Sequence, residues 1–162
     1  MSFKDKSFAK FLKNYWVIIV ALIFAGAVNI SGFRFVFTVG ESMYPTLKDG
    51  QILAVNTHDK IPGRGDIVIF KSKNYSKVLI KRVIGLPGEK IIIKNNNIYI
   101  NGQIIKDYVD IDMESYGILK EEITLKENEY FAMGDNRNHS YDCRDIGPLL
   151  KDEIIGVKHM DN

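Results

Sequence analysis

The chain has 162 residues, 46% of them hydrophobic and 26% charged, which suits one folded domain of ordinary size and excludes two large ones. A single cysteine, Cys143, excludes an intramolecular disulfide and a cysteine-only zinc module, so a hydrophobic core has to hold the fold. The net charge of +2, from 22 basic and 20 acidic residues, is too balanced for the broad electropositive face of a nucleic-acid binder, and no nucleic-acid partner is expected.

In chain order, residues 1–14 form a basic start. Lys4, Lys6, Lys10 and Lys13 against Asp5 give a local charge of +3, so the remainder carries −1. From Tyr15 to Phe33 the chain runs 19 residues without a charge before Arg34. A helix of roughly 20 residues crosses a hydrocarbon core of about 30 Å, so this length predicts a transmembrane anchor, weakened at its far end by Asn29 and Ser31. Lysines before the segment place the N-terminus in the cytoplasm. The same letters, with Ala25-Gly26-Ala27 as a small-x-small site, also spell a cleavable secretory signal. A buried core helix fits worse, because it would carry polar residues along one face. Anchor and signal alike put the rest of the chain outside the cytoplasm.

From about residue 36 the pattern turns to strands. Ile67 to Phe70, Val78 to Ile84, Ile91 to Ile93 and Ile98 to Ile100 are short β-branched or aromatic runs separated by Gly, Pro and Asn, with no sustained helical period. Asn101-Gly102 between two apolar runs predicts a hairpin with a type I′ turn, and Asn95 to Asn97 predicts a second turn. Residues 106–122 are acidic and irregular, read as a loop or an excursion from the sheet. No internal repeat divides this region.

Three segments carry chemistry. In Gly40-Glu41-Ser42-Met43-Tyr44-Pro45-Thr46-Leu47 a serine sits where the backbone turns sharply, able to present its hydroxyl and its N–H to a carbonyl group. A turn serine bonding its own backbone is the plainer reading, and Ser42 needs a partner to be more than that. In Val78 to Glu89, Lys81 and Arg82 lie inside an apolar strand, Lys81 sharing a face with Leu79 and Val83, Arg82 with Ile80 and Ile84. Periodicity leaves open which cation is buried. Chemistry favours Lys81 as a base, because arginine stays protonated whereas a desolvated lysine loses its proton; a fall from about 10.4 to about 8 takes roughly 3 kcal/mol. Taken alone, a lysine on the solvated face of an edge strand is the plainer reading.

The third segment, Gly134 to Pro148, is a polar loop framed by Gly and Gly-Pro. Within it His139 and Asp142 would complete a Ser-His-Asp triad with Ser42, making the chain a histidine-based hydrolase. Asp135, His139 and Cys143 have the spacing of metal ligands on one helix face, yet Gly134 and the Asn and Asp content argue against a helix there.

Taken together, the basic start, one hydrophobic segment and then Ser42-Met43-x-Pro45-Thr46-Leu47, Gly65-Asp66-x-Val68-x-Phe70, Lys81-Arg82-Val83-x-Gly85-x-x-Gly88 and Gly134-Asp135-Asn136-Arg137-x-x-Ser140-x-Asp142-x-Arg144 resemble a type I signal peptidase. Four motifs in the same order make the likeness far more specific than any one of them. Its short length with one anchor is similar to forms found in Gram-positive bacteria.

The resemblance implies a mainly β fold: an antiparallel β-sheet catalytic domain over 34–162, outside the cytoplasm, preceded by one N-terminal transmembrane helix over 15–33 and a cytoplasmic basic N-terminus over 1–14. The location it implies is the cell membrane, single-pass, with the hydrophobic segment retained as an anchor. Ala25-Gly26-Ala27 keeps the small-x-small pattern that self-cleavage would need, and Phe33, Phe35 and Phe37 are expected close to lipid, packed in the domain or dipping into the interface.

By the same resemblance Ser42 is the nucleophile and Lys81 the general base. Ser140 orients the lysine amine, Asp142 paired with Arg144 holds the last loop, and Asp135 and Arg137 are structural supports. The implied substrates are exported preproteins, cut after small residues in Ala-x-Ala-like sites, near the secretion translocon; neither cofactor nor metal is implied. The N–H of Ser42 is one oxyanion donor. Where some members carry a hydroxyl residue two before the nucleophile this chain has Gly40, so a backbone N–H at Gly40, or a water, is left as the second. Asn138, His139 and Cys143 also depart from the family pattern. Outside the enzyme class, the chain would be a membrane-tethered β module that binds exported proteins without cutting them.

Overall fold

Short β-branched runs punctuated by Gly and Asn leave the chain few ways to bury its apolar side chains except as paired strands. The computed structural model describes residues 15–23, 26–27, 32–109 and 121–160. Among these, eleven strands form two sheets, all of whose pairings are antiparallel. The larger sheet contains β1 (Phe33–Phe37), β2 (Ile52–Asn56), β3 (Ile67–Lys71), β4 (Val78–Gly85), β9 (Glu129–Met133), β10 (Leu149–Leu150) and β11 (Ile154–Lys158), ordered β1-β2-β11-β3-β4-β9-β10. The smaller contains β5 (Lys90–Lys94), β6 (Asn97–Ile100), β7 (Gln103–Ile104) and β8 (Ile123–Thr124), ordered β7-β6-β5-β8.

The centre of the large sheet explains its unbroken apolar sequence. Ile67 and Ile69 of β3 face a cluster with Met43, Leu47, Leu53 and Val55, while Val68 and Phe70 face the main core with Val83, Phe131 and the small sheet's Ile91 and Ile98. Strands buried on both faces read as continuous runs, and each such side chain contributes about 1.5–3 kcal/mol of burial. The predicted hairpin is present: Asn101 and Gly102 both have positive φ, at 51° and 80°, between β6 and β7. Asn95 and Asn96, also at positive φ, turn β5 into β6, and Asn97 already belongs to β6.

The irregular stretch 106–122 is part of the excursion that carries the small sheet; residues 110–120 of it lie outside the described residues. Strand structure begins earlier than its sequence pattern, at Phe33, the last residue of the predicted span. Phe33, Phe35 and Phe37 are exposed rather than packed in the domain, on edge strand β1. Residues 15–23 are helical, and among the described residues no helix is long and apolar enough to cross a membrane. The expectations for 1–14, and for 24–25 and 28–31 of the anchor, lie outside the described residues.

Candidate active site

The segment after β1 is a run of turns anchored by two apolar side chains. Met43 and Leu47 are buried under β3, and the Leu47 N–H reaches the Met43 carbonyl at 2.9 Å. That spacing pins the backbone around Ser42 and leaves its hydroxyl at the surface of the sheet. Thr38 closes the loop from behind, its Oγ1 donating to the Lys48 carbonyl at 2.5 Å. The Gly40 N–H, a candidate oxyanion donor, instead donates to Asp49 Oδ1 at 2.7 Å, because the loop folds that carboxylate back over it. The Ser42 N–H makes no hydrogen bond among the described residues.

Both cations of β4 are buried, on opposite faces, a point that periodicity alone leaves open. Lys81 pairs with Val68 and Arg82 with Ile67, and they are 2% and 4% exposed. Lys81 Nζ lies 2.7 Å from Ser42 Oγ, within hydrogen-bond reach. Burial is the largest influence on this amine and pushes its pKa below the ordinary lysine value; the Asp142 carboxylate opposes the shift, Arg144 adds to it and Asp135 opposes it. Arg82 makes a bidentate pair with Asp135, Nε to Oδ1 at 2.8 Å and Nη2 to Oδ2 at 2.6 Å, and also donates to the Gly65 carbonyl and Thr46 Oγ1.

The loop from Gly134 to Asp142 follows β9 and lies against Ser42. The Asn136 N–H donates to the Ser42 carbonyl at 3.0 Å and the Asn136 amide to the Glu41 carbonyl at 3.1 Å. Asp142 caps a one-turn helix, Cys143–Ile146, through a reciprocal box with Asp145. It also accepts from the Gly134 N–H, from Ser140 Oγ at 2.8 Å and from Arg144 Nε and Nη2, each at 2.9 Å. Ser140 thus gives its proton to Asp142, the carboxylate beside the amine, and not directly to Lys81.

The rival constellations do not assemble. His139 is exposed and Ser42 Oγ is bonded by Lys81; Asp135 is occupied by Arg82, and the Cys143 thiol, pushed up to about 12 by burial, accepts the Ala132 N–H. Among the described residues no group of three His, Cys, Asp or Glu side chains is arranged to hold a metal ion.

Asn136 stands in the last motif without an expected role, and neither Asp107 nor the tightness around Gly134 is visible in the sequence. A Cβ on Gly134 would stand 2.1 Å from Ser140 Oγ and 2.5 Å from the Ser42 carbonyl oxygen. Gly134→Ala is therefore expected to push Ser42 or Ser140 aside and to lower turnover about 100-fold, since an ångström of misplacement costs that order of rate. Steady-state kinetics with thermal melting on the same sample checks it: unaltered turnover would mean that the neighbours yield freely.

Beside the hydroxyl runs a groove of about 230 Å³, lined by Val36, Met43, Leu47, Leu79 and Ile80 among others, with Ser42 and Lys81 in its wall. Its walls are mostly apolar.

The family model described as signal peptidase, peptidase S26, matches residues 11–160. "Signal peptidase I P" of Bacillus subtilis subsp. natto is 36% identical over 160 residues, covering 90% of this chain and 86% of that relative. "Signal peptidase I V" of Bacillus subtilis strain 168 is 35% identical, covering 90% of this chain and 96% of that relative. A solved signal peptidase I from Enterococcus faecalis V583 is 30% identical with a TM-score of 0.49, over 60% of this chain and 97% of that one.

Proposed function

The chain belongs to the signal peptidase family, peptidase S26, as a type I signal peptidase, and we propose that it works as a membrane-anchored endopeptidase with Ser42 as nucleophile and Lys81 as general base. Its substrates on this reading are exported preproteins, cut after a small residue in an Ala-x-Ala-like site. The observation that carries the proposal is the buried amine of Lys81 at 2.7 Å from Ser42 Oγ.

Neutral Lys81 takes the hydroxyl proton as Ser42 Oγ attacks the scissile carbonyl, and then gives that proton to the departing amine of the mature protein. A water, deprotonated by Lys81, attacks the acyl ester; the bond to Ser42 Oγ breaks and Lys81 returns the proton to that oxygen. The Ser42 N–H, which has no competing acceptor in the loop, faces the developing oxyanion; a donor of that kind contributes about 3 kcal/mol. With the Gly40 N–H turned to Asp49, the second donor falls to a water or a substrate-induced shift of the 38–51 loop.

Ser140 and Arg144 act through Asp142: they hold its carboxylate in place beside the amine, and Asp135 and Arg137 brace the loop that carries it. The apolar groove beside Ser42 supports substrate side chains that are apolar, as alanine is. The uncharged segment 15–33 behind four lysines supports the anchor, with residues 34–162 as the extracytoplasmic domain and the lipid bilayer and translocon as neighbours.

The test uses the full chain in detergent micelles with a precursor carrying an Ala-x-Ala site. Wild type is expected to release the shortened product and Ser42→Ala to release none above background. Capture of the precursor by wild type without any cut would leave a binding module and end the proposal.

A further inference from the structure

The acidic stretch after β7 reaches across to the loop that holds Ser42. The Asp107 carboxylate accepts from both Nε and Nη2 of Arg137, the Nε contact being 3.1 Å. Arg137 is fully buried, and its Nη1 donates to the Gly134 carbonyl at 2.5 Å while its backbone N–H meets the Asp135 carbonyl at 3.0 Å. Gly134 packs on the Ser42 carbonyl and Asn136 donates to it, so only Arg137 and Gly134 stand between Asp107 and the nucleophile.

The next residue grips the other half of the pair. The Tyr108 ring covers the Arg82 guanidinium at 5.0 Å and lies so close to Gly65 that a Cβ there would meet it at 2.8 Å. Arg82 is the chain neighbour of Lys81 in β4. One dipeptide thus touches the supports of both reacting groups, from a segment that lines no part of the substrate groove.

We propose that Asp107 and Tyr108 form a positioning strap, by which the excursion bearing the small sheet holds Ser42 and Lys81 in register for the reaction. Neither residue touches substrate. The inference rests on the Ser42–Lys81 reading above. The small sheet is then part of the catalytic apparatus, because β7 delivers the strap.

A second consequence is electrostatic. The charged groups around the Lys81 amine are Asp142, Asp135 and Arg144, with the neutral thiol of Cys143; Arg82 and Arg137 lie behind Asp135. Asp107 balances Arg137, so its loss leaves an added positive charge behind the amine and favours the neutral base.

The experiment compares the full-length wild type, Asp107→Asn, Asp107→Glu, Tyr108→Ala and Tyr108→Phe in the same precursor assay, with the folded fraction taken from near-UV circular dichroism. Cleavage by wild type in that assay upholds the underlying reading whatever the variants do. For Asp107→Asn and Tyr108→Ala, kcat per folded chain is expected to fall about 10- to 100-fold with KM within about twofold, the scale of a small misplacement of reacting groups. In Asp107→Asn the acid limb of the pH profile is expected to move to lower pH, and Asp107→Glu and Tyr108→Phe to recover most of the turnover. Tyr108, 40% exposed, keeps the test open if Asp107→Asn folds poorly. Unchanged kcat in the folded variants, a loss confined to KM, or a loss wholly matched by the unfolded fraction would overturn the strap.

Discussion

Lys81→Met is expected to abolish precursor cleavage and, at the same time, to raise the melting temperature at neutral pH. The first half follows from the proposed role of Lys81 as general base: such assistance is worth about 10²- to 10⁴-fold, and without it the Ser42 hydroxyl keeps its proton. Lys81→Arg should not rescue, since a guanidinium stays charged at any working pH. The second half follows from linkage. Burial lowers the folded-state pKa of this amine beneath its unfolded value, so between the two values the unfolded chain binds more protons and stability rises with pH. Below the folded pKa the penalty of the buried ammonium is fully present; above the unfolded value it vanishes. The gain from Lys81→Met should therefore be largest at acid and neutral pH and shrink toward alkaline pH. Wild-type activity runs the same way, climbing through the lowered pKa as the neutral base forms. Kinetics and thermal melts across pH check both halves. An acid limb at the ordinary lysine value, or a Lys81→Met chain no more stable than wild type at neutral pH, would contradict the buried neutral amine.

The parts legible in the sequence are those that obey local rules. The hairpin at Asn101-Gly102 and the strands around β3 to β6 follow from φ preference and alternation, which a few residues decide. β2, β9 and β11 are not marked out by local pattern, although all three are interior strands of the large sheet; their placement depends on partners far along the chain, such as Ile154 against Phe70. Ser42 and Lys81 are legible through motif and chemistry together, but their contact spans 39 residues and no local pattern encodes it. Asp107 shows the limit more sharply. In sequence it is one more acid in an irregular stretch, and only the buried Arg137, which requires a carboxylate, marks it out. Gly40 errs in the other direction: glycine leaves its N–H sterically free, and Asp49, nine residues on, takes it.

Asp135→Asn is expected to cost about 3–5 kcal/mol of stability, the scale for breaking a buried ion pair from one side. The site concentrates an unusual density of charge in a small core: Arg82, Arg137 and Arg144 against Asp135, Asp142 and the partly exposed Asp107. Each arginine is tolerable there because a carboxylate faces it, Asp135 for Arg82, Asp107 for Arg137 and Asp142 for Arg144. Asparagine keeps the size of Asp135 and one acceptor oxygen but removes its charge and the bidentate pairing, leaving the buried Arg82 guanidinium with the Gly65 carbonyl, Thr46 and the Tyr108 ring as its other partners. Taking roughly 4 °C per kcal/mol for a chain of this size, the melting temperature should fall by on the order of 10 °C or more. The double variant Arg82→Met with Asp135→Leu removes both charges and should recover much of the loss, since apolar replacement of a whole buried pair is often neutral or better. Turnover separates the two roles of the pair. If Arg82 and Asp135 only hold the fold, the double variant recovers cleavage along with stability; if they also set the register of β4 against the 134–142 loop, it melts normally and still cuts slowly. A single variant within about 1 kcal/mol of wild type would mean that water reaches Arg82 in solution and that the pair is not dry.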